Sequence, residues 1–66
     1  MNTLKAIRTR LRMTQQEVSE KSKVPYAAYV AYENMYREPP VGRAIKIAKT
    51  LGVPVEEIMW RDDDEK

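Results

Sequence analysis

The chain has 66 residues, of which 42% are hydrophobic and 33% are charged, and it contains no Cys and no His. This length allows one small domain, and this composition is typical of a folded globular chain rather than a disordered or membrane-spanning one. Without Cys or His the chain has no disulfide, no thiolate or imidazole metal ligand and no nucleophile paired with a histidine base, so we expect no enzyme, no metal site and no cofactor.

The net charge of +2 conceals an uneven distribution along the chain. Residues 1–55 contain ten Lys and Arg against four Glu, whereas residues 56–66 contain two Lys and Arg against six Asp and Glu. A basic body suits a polyanion such as nucleic acid, although a solvated mixed-charge surface explains the charge alone equally well. No export signal and no run of about 20 apolar residues occurs, so we expect a cytoplasmic protein without a membrane role.

The first two helices are predicted from apolar spacing and from a helix start signal. Apolar residues recur at helical spacing over about residues 3–12, which predicts helix one. Thr14 followed by Glu17 is a capping-box pattern, so helix two should begin at Gln15. It should end shortly before Pro25, because proline disfavours helical geometry in the residue that precedes it.

The rest of the chain predicts three more helices and no strands. They are a third helix over residues 25–33, a fourth over 41–51 and a short fifth that opens at Pro54, with a loop over 34–40. Residues 1–60 should therefore form one domain. Residues 61–66 are all charged and should form a frayed tail.

Two short helices joined by a tight turn, with basic residues nearby, occur in DNA-binding helix-turn-helix proteins, although many small helical bundles share this arrangement. Further residues have the order and spacing of one family, namely Arg8, Thr14-Gln15, Val18-Ser19, Val24, Glu33, Pro39, Lys46-Ile47-Ala48 and Leu51-Gly52-Val53. The sequence resembles the Cro/C1-type, or Xre, helix-turn-helix family of phage repressors and small bacterial regulators from residue 4 to about residue 59. The resemblance implies an all-α, compact five-helix lambda-repressor-like domain, usually dimeric, whose third helix enters the major groove of DNA.

The resemblance also implies roles for individual residues. Outward positions near the start of helix three read bases in the family, and here they are Tyr26, Ala27, Val30 and Ala31. Positions implied to contact the DNA backbone are Gln15 at the start of helix two and Asn34, Tyr36 and Arg37 in the following loop, with Arg43 early in helix four as a further candidate. Arg8 and Glu33 match a structural ion pair that joins helix one to the end of helix three.

The positions implied to read bases are unusually apolar. Helix three has no Arg, Lys, Asn or Gln, the side chains suited to bidentate base contacts. The Tyr26 hydroxyl can donate or accept, and the apolar surfaces of Ala27 and Val30 suit a thymine methyl group, so we expect a T-rich site with DNA shape supplying much of the discrimination. Tyr29 and Tyr32 should pack in the core with their hydroxyls reaching outward.

Two helix ends depart from the family pattern. Lys23 and Met35 stand where relatives commonly have Gly, and residues with a Cβ disfavour the left-handed conformation. We therefore expect a different local backbone at these two positions.

The C-terminal region carries more large apolar side chains than one small core readily shelters. They are Val55, Ile58, Met59 and Trp60. Together with the end of helix four, we expect them to form a two-fold homodimer interface that sets two third helices about 34 Å apart on a pseudo-palindromic operator in double-stranded DNA. The interpretation that Trp60 only covers the core of its own subunit stays open.

The expected function is sequence-specific regulation of transcription by a small dimeric repressor that occludes its operator, with no small-molecule ligand. The alternative is a protein-interaction module on the same fold, antitoxin-like or antirepressor-like, that uses the apolar face of helix three. Steep salt dependence of binding would distinguish DNA from an apolar protein partner.

Overall fold

The computed structural model describes residues 2–61, which form four α-helices, one 3₁₀ turn and two very short strands. In chain order these are β1 (Asn2–Thr3), α1 (Leu4–Arg10), α2 (Gln15–Ser22), α3 (Tyr26–Glu33), α4 (Val41–Leu51), the 3₁₀ turn (Val55–Glu57) and β2 (Ile58–Met59). The frayed tail predicted for residues 61–66 lies, except for Arg61, outside the described residues.

Polar caps fix where the first two helices begin. The Thr3 hydroxyl accepts a hydrogen bond from the Ala6 amide at 3.1 Å at the start of α1. At α2 the Thr14 hydroxyl accepts from the Glu17 amide at 3.0 Å, and the Glu17 carboxylate accepts from the Thr14 amide at 2.8 Å. This capping box confirms the predicted start of α2 at Gln15.

Left-handed residues end the helices, and three of them are not glycine. Arg12, Lys23 and Met35 have φ of 60°, 59° and 62°, and Gly52 has 74°. The expectation of a different backbone at Lys23 and Met35 is therefore wrong. Each left-handed residue lets the next amide close the helix, Val24 to the Ser19 carbonyl at 3.0 Å and Tyr36 to the Ala31 carbonyl at 2.9 Å, and these bonds offset part of the strain.

The C-terminal segment differs from the prediction. The expected fifth helix is a single 3₁₀ turn, and the expectation of no strands is also wrong, because β2 pairs in parallel with β1. Asn2 pairs with Ile58 and Thr3 with Met59. Extended geometry lets the Ile58 side chain enter the core while its backbone bonds to the other end of the chain.

The core lies between α2 and the helices packed on it, α3 and α4. Its buried members come from every helix, from the turn after α2 and from β2, and they are Leu4, Ile7, Val18, Val24, Tyr29, Tyr32, Ile47, Ala48, Leu51 and Ile58. Tyr29 is the largest side chain that is fully buried. This core fixes α2 and α3 relative to each other, and so determines which face of α3 remains open.

Candidate nucleic-acid interface

The turn between α2 and α3 is short and anchored. Lys23 ends α2 in the left-handed conformation, the Val24 side chain is buried in the core, and Pro25 holds the N-cap position of α3. Pro25 supplies no capping hydrogen bond, but its restricted φ lowers the conformational freedom of the turn. The two helices and this turn therefore form a rigid unit.

The two faces of α3 have different environments. Tyr29, Tyr32 and Glu33 are buried, whereas Tyr26 is 52% exposed and Ala27 is exposed. Val30 and Ala31 are half-buried, so of the four residues predicted to read bases two are open and two are partly covered. The open face thus lies at the N-terminal end of α3.

Arg8 and Glu33 form a two-pronged ion pair beneath α3. Arg8 Nε lies 2.7 Å from Glu33 Oε2, and Arg8 Nη2 lies 3.0 Å from Glu33 Oε1. Arg8 Nη1 also donates to the Met13 carbonyl at 2.8 Å, which ties the end of α1 to the start of α2. The side chains are 12% and 2% exposed, so solvent screens this pair far less than it screens a surface pair.

The carboxylate of Glu33 receives two further hydrogen bonds. Gln15 Nε2 donates to Oε1 at 2.8 Å, and the Tyr29 hydroxyl donates to Oε2 at 2.9 Å. Burial by itself raises the pKa of Glu33, but the hydrogen bonds from Arg8, Gln15 and Tyr29 outweigh it and hold this pKa below its ordinary value. Glu33 is therefore a charged acceptor at neutral pH.

Tyr29 points inward. Burial, together with the neighbouring charge of Glu33, raises the pKa of Tyr29 far above its ordinary value of 10.0. The expected outward hydroxyl is wrong for Tyr29, because its partner Glu33 lies four residues further along the same helix and is itself buried. The Tyr32 hydroxyl instead accepts a bond from Arg43 Nη1 at 2.9 Å.

The residues predicted to touch the DNA backbone fall into two groups. Asn34, Tyr36 and Arg37 are exposed in the loop after α3. Gln15 and Arg43 are half-buried and already hydrogen-bonded, Gln15 to Glu33 and Arg43 to Tyr32. The loop residues are therefore free to follow a phosphate backbone, whereas the other two side chains brace α3.

Gln15 also touches the open end of α3. Its Oε1 lies 3.4 Å from the hydroxyl of Tyr26 and accepts a hydrogen bond from it. Along the sequence Gln15 and Tyr26 are independent positions, and only the folded turn brings them together. No signal in the sequence alone pairs them.

The C-terminal apolar residues are only partly available for an interface. Ile58 is buried in the core of its own chain, and Trp60 Nε1 donates to the Val55 carbonyl at 3.3 Å. Val55 and Trp60 also pack against the core, so the covering role left open for Trp60 matches its position. Ile58 is therefore unavailable to a partner in this fold, contrary to expectation.

An apolar groove beside these residues was not predicted. It has a volume of about 540 Å³ and lies between α4 and the C-terminal segment. Val41 is 75% exposed and Ile45 43% exposed, and both line this groove together with Met59 and Trp60. In the sequence, Val41 and Ile45 have helical spacing with Ala44 and Ala48 and so resemble one core-facing stripe, but in the fold only the two alanines are buried.

The comparisons with known proteins agree with this geometry. A family model described as helix-turn-helix matches residues 4–58. The chain belongs to the helix-turn-helix family. The Cro/C1-type resemblance is thereby confirmed, and membership of this helix-turn-helix family makes the chain a DNA-binding regulator rather than an enzyme.

One relative of this helix-turn-helix chain matches nearly its whole length. It is 36% identical over 64 residues, covers 97% of both chains, and is described as an uncharacterized HTH-type transcriptional regulator of Methanocaldococcus jannaschii. Within residues 2–61, no helix is long and apolar enough to cross a bilayer. The same residues contain no group of three or more acidic side chains that could hold a metal ion.

Proposed function

We propose that this helix-turn-helix chain is a sequence-specific transcriptional regulator that acts in the cytoplasm as a small homodimeric repressor, by occluding its operator. The observation that carries the proposal is the open N-terminal end of α3, where Tyr26 and Ala27 project from a rigid turn while the rest of the helix is anchored in the core. A relative of nearly equal length bears the description of a transcriptional regulator, which supports the same conclusion.

Base contacts come from Tyr26 and Ala27, with Val30 and Ala31 contributing their exposed edges. Since α3 has no Arg, Lys, Asn or Gln, the sequence preference rests on the Tyr26 hydroxyl, on apolar contacts with thymine methyl groups and on DNA shape. Each such contact discriminates less than a bidentate pair does. We therefore propose modest sequence specificity.

Backbone contacts come from the loop between α3 and α4. Asn34, Tyr36 and Arg37 are exposed there, and these side chains are suited to phosphate oxygens. Gln15 and Arg43 belong to the same footprint implied by the sequence, although each also has an internal partner. The excess of positive charge over residues 1–55 adds long-range attraction for DNA.

The dimer interface is the apolar groove between α4 and the C-terminal segment. Val41 and Ile45 are its most exposed apolar members, and Val55, Met59 and Trp60 extend it. A two-fold axis there would present two α3 helices to successive turns of a pseudo-palindromic operator, about 34 Å apart. Residues 1–60 would then form a domain that binds DNA and dimerises.

Fluorescence anisotropy with a randomised duplex pool, at two salt concentrations, tests DNA binding. We expect retention that weakens steeply with salt, and a palindrome on sequencing of the retained fraction. Arg37→Ala should reduce the slope of log K against log salt by about 0.9 for each phosphate that the arginine neutralises, whereas Lys49→Ala, at the far end of α4 from Arg43, should leave it unchanged. Retention that is insensitive to salt would overturn the proposal.

Analytical ultracentrifugation tests the dimer. We expect a concentration-dependent dimer in the micromolar range, and we expect Ile45→Glu to convert it to monomer because a charge in an apolar interface is left without a partner. Lys46→Glu, at an exposed neighbouring position, is the matched control. Monomer alone at high micromolar concentration would remove the dimer from the proposal.

The second candidate function, a protein-interaction module of antitoxin or antirepressor type, is favoured by the apolar character of the open face of α3. A module of this kind would bind a protein through Tyr26, Ala27 and Val30, with little dependence on salt. The anisotropy experiment separates the two functions, since only DNA binding through several phosphates weakens steeply with salt.

A further inference from the structure

A chain of hydrogen bonds runs from the buried ion pair to the surface of α3. Arg8 donates to Glu33, Gln15 donates to Glu33 at 2.8 Å, and Tyr26 donates to Gln15 at 3.4 Å. The first bond is partly buried and the last is exposed. These hydrogen bonds therefore connect the interior of the fold to Tyr26 at the open end of α3.

Only one assignment of donors and acceptors is consistent with all of these hydrogen bonds. An ionised carboxylate only accepts, so Glu33 must face the nitrogen of the Gln15 amide rather than its oxygen. Arg8 and the Tyr29 hydroxyl occupy other sites of the same carboxylate as donors. Because Arg8, Tyr29 and Gln15 all donate to its carboxylate, Glu33 prevents the side-chain amide of Gln15 from rotating by half a turn.

The orientation of Gln15 determines that of the Tyr26 hydroxyl. With Nε2 held by Glu33, the amide presents Oε1 to Tyr26, and an amide oxygen only accepts. The hydroxyl has a single hydrogen, which is directed to Gln15. The oxygen lone pairs of Tyr26 are then left on its exposed side.

We propose that Tyr26 acts as a hydrogen-bond acceptor toward DNA, because Gln15 takes its only proton, and that it therefore selects a base amino group in the major groove. This inference rests on the proposed DNA-binding function. The groups it would select are N6 of adenine and N4 of cytosine. O6 and N7 of guanine and O4 of thymine are acceptors, and they would face the lone pairs of Tyr26 without a hydrogen between them.

An A·T pair offers a suitable contact to both Tyr26 and Ala27. Adenine provides the amino group for Tyr26, and the thymine methyl of the same or a neighbouring pair provides an apolar contact for Ala27. Gln15 is in this scheme a positioning residue, since it acts on the base through Tyr26. The scheme narrows the preference at one position of each half-site to adenine or cytosine on the contacted strand.

Selection from a randomised duplex pool with four proteins tests this assignment. They are the wild-type chain, Tyr26→Phe, Gln15→Met and the control Gln16→Met, whose side chain bonds only to exposed Glu20 among the hydrogen bonds within residues 2–61. We expect the wild type and Gln16→Met to enrich the same base pair at one position per half-site. Tyr26→Phe should lose that preference, and Gln15→Met should relax it because its Tyr26 hydroxyl is free to donate as well as to accept. Circular dichroism checks that all four are folded.

An operator with a base analogue provides the second readout. Replacing the selected adenine by purine, or the selected cytosine by 2-pyrimidinone, removes only the amino group. The wild type should bind the altered duplex about 3- to 10-fold more weakly, whereas Tyr26→Phe should bind both duplexes equally. A loss of the same size in Tyr26→Phe would overturn the proposal, because the amino group would then be contacted by another residue.

The two proposals fail in different ways. If the wild type retains DNA but binds equally well after the amino group is removed from the base pair that Tyr26→Phe alters, the assignment of Tyr26 as acceptor is overturned and DNA binding stands. If Gln15→Met keeps the wild-type preference, the role of Gln15 is overturned. If no duplex is retained by the folded wild type, the proposed function and this inference are both overturned.

Discussion

Replacing Arg8 with methionine measures how much the Arg8–Glu33 ion pair contributes to the free energy of unfolding. The change keeps much of the apolar stem but removes three donors, at 2.7 and 3.0 Å from the Glu33 carboxylate and at 2.8 Å from the Met13 carbonyl. The Glu33 side chain is 2% exposed, so water cannot replace these bonds and only neutral donors remain. Breaking a fully buried pair by removing one partner costs about 3–5 kcal/mol, and we expect a loss toward the lower end of this range because the Arg8 side chain is 12% exposed.

This loss is large for so small a domain. At about 0.05–0.15 kcal/mol per residue, a chain of 66 residues has a free energy of unfolding of roughly 3–10 kcal/mol. Arg8→Met should therefore lose much of its stability, and urea unfolding followed by circular dichroism at pH 7 measures that loss. Glu38→Gln is the matched control, since it breaks an ion pair with Arg61 whose side chains are 52% and 65% exposed, and it should cost less than about 1 kcal/mol.

A double variant separates charge from packing. Arg8→Met with Glu33→Met removes the uncompensated charge as well as the bond, so it should be more stable than Arg8→Met alone. It should remain below the wild type by about 1–3 kcal/mol, because the Tyr29 hydroxyl then lacks its acceptor. If Arg8→Met loses less than about 1 kcal/mol with an unchanged urea slope, the energetic weight assigned to the pair is refuted.

Three further predictions concern other features of the fold. Stability should decline at both extremes of pH. The lowered pKa of Glu33 gives stability that is present above about pH 4.5 and lost as the pH falls, and the raised pKa of Tyr29 gives stability that is present below about pH 10 and lost as the pH rises. Urea midpoints that stay level from pH 3 to 11 would contradict this prediction. Thr14→Ala should cost about 1 kcal/mol by thermal or urea unfolding, since it removes half of the capping box, and an unchanged midpoint would contradict that value. Lys23→Gly should stabilise the chain by up to about 1 kcal/mol, because glycine adopts the left-handed φ of 59° without strain. Gly52→Ala should destabilise the chain by about as much, because φ is 74° there, although an added Cβ would meet no other atom. The opposite signs in urea unfolding would refute the strain argument.

Features that depend on nearby residues were predictable from the sequence. The start of α2 is set by Thr14 and Glu17, which lie three residues apart, and the turn before α3 is set by Pro25. The end of α4 is set by Gly52. In each case the residue type and its local geometry act within one helical turn, so spacing along the chain carries the information.

Features that depend on distant residues were not predictable in the same way. Two-residue strands have no periodicity, and β2 forms because its partner β1 lies at the other end of the chain. The inward direction of the Tyr29 hydroxyl depends on Glu33, whose burial and charge depend in turn on Arg8. The link between Gln15 and Tyr26 likewise exists only after α2 and α3 have packed.

The parallel pairing of β1 with β2 brings the beginning and the end of the described chain to one side of the molecule. A short covalent linker between those ends could therefore circularise the polypeptide. The backbone could then be reopened between α3 and α4, in the loop that contains Arg37, with every helix left whole. In such a permutant the two halves of the helix-turn-helix would stay contiguous, while the segment with Trp60 would become an internal connection.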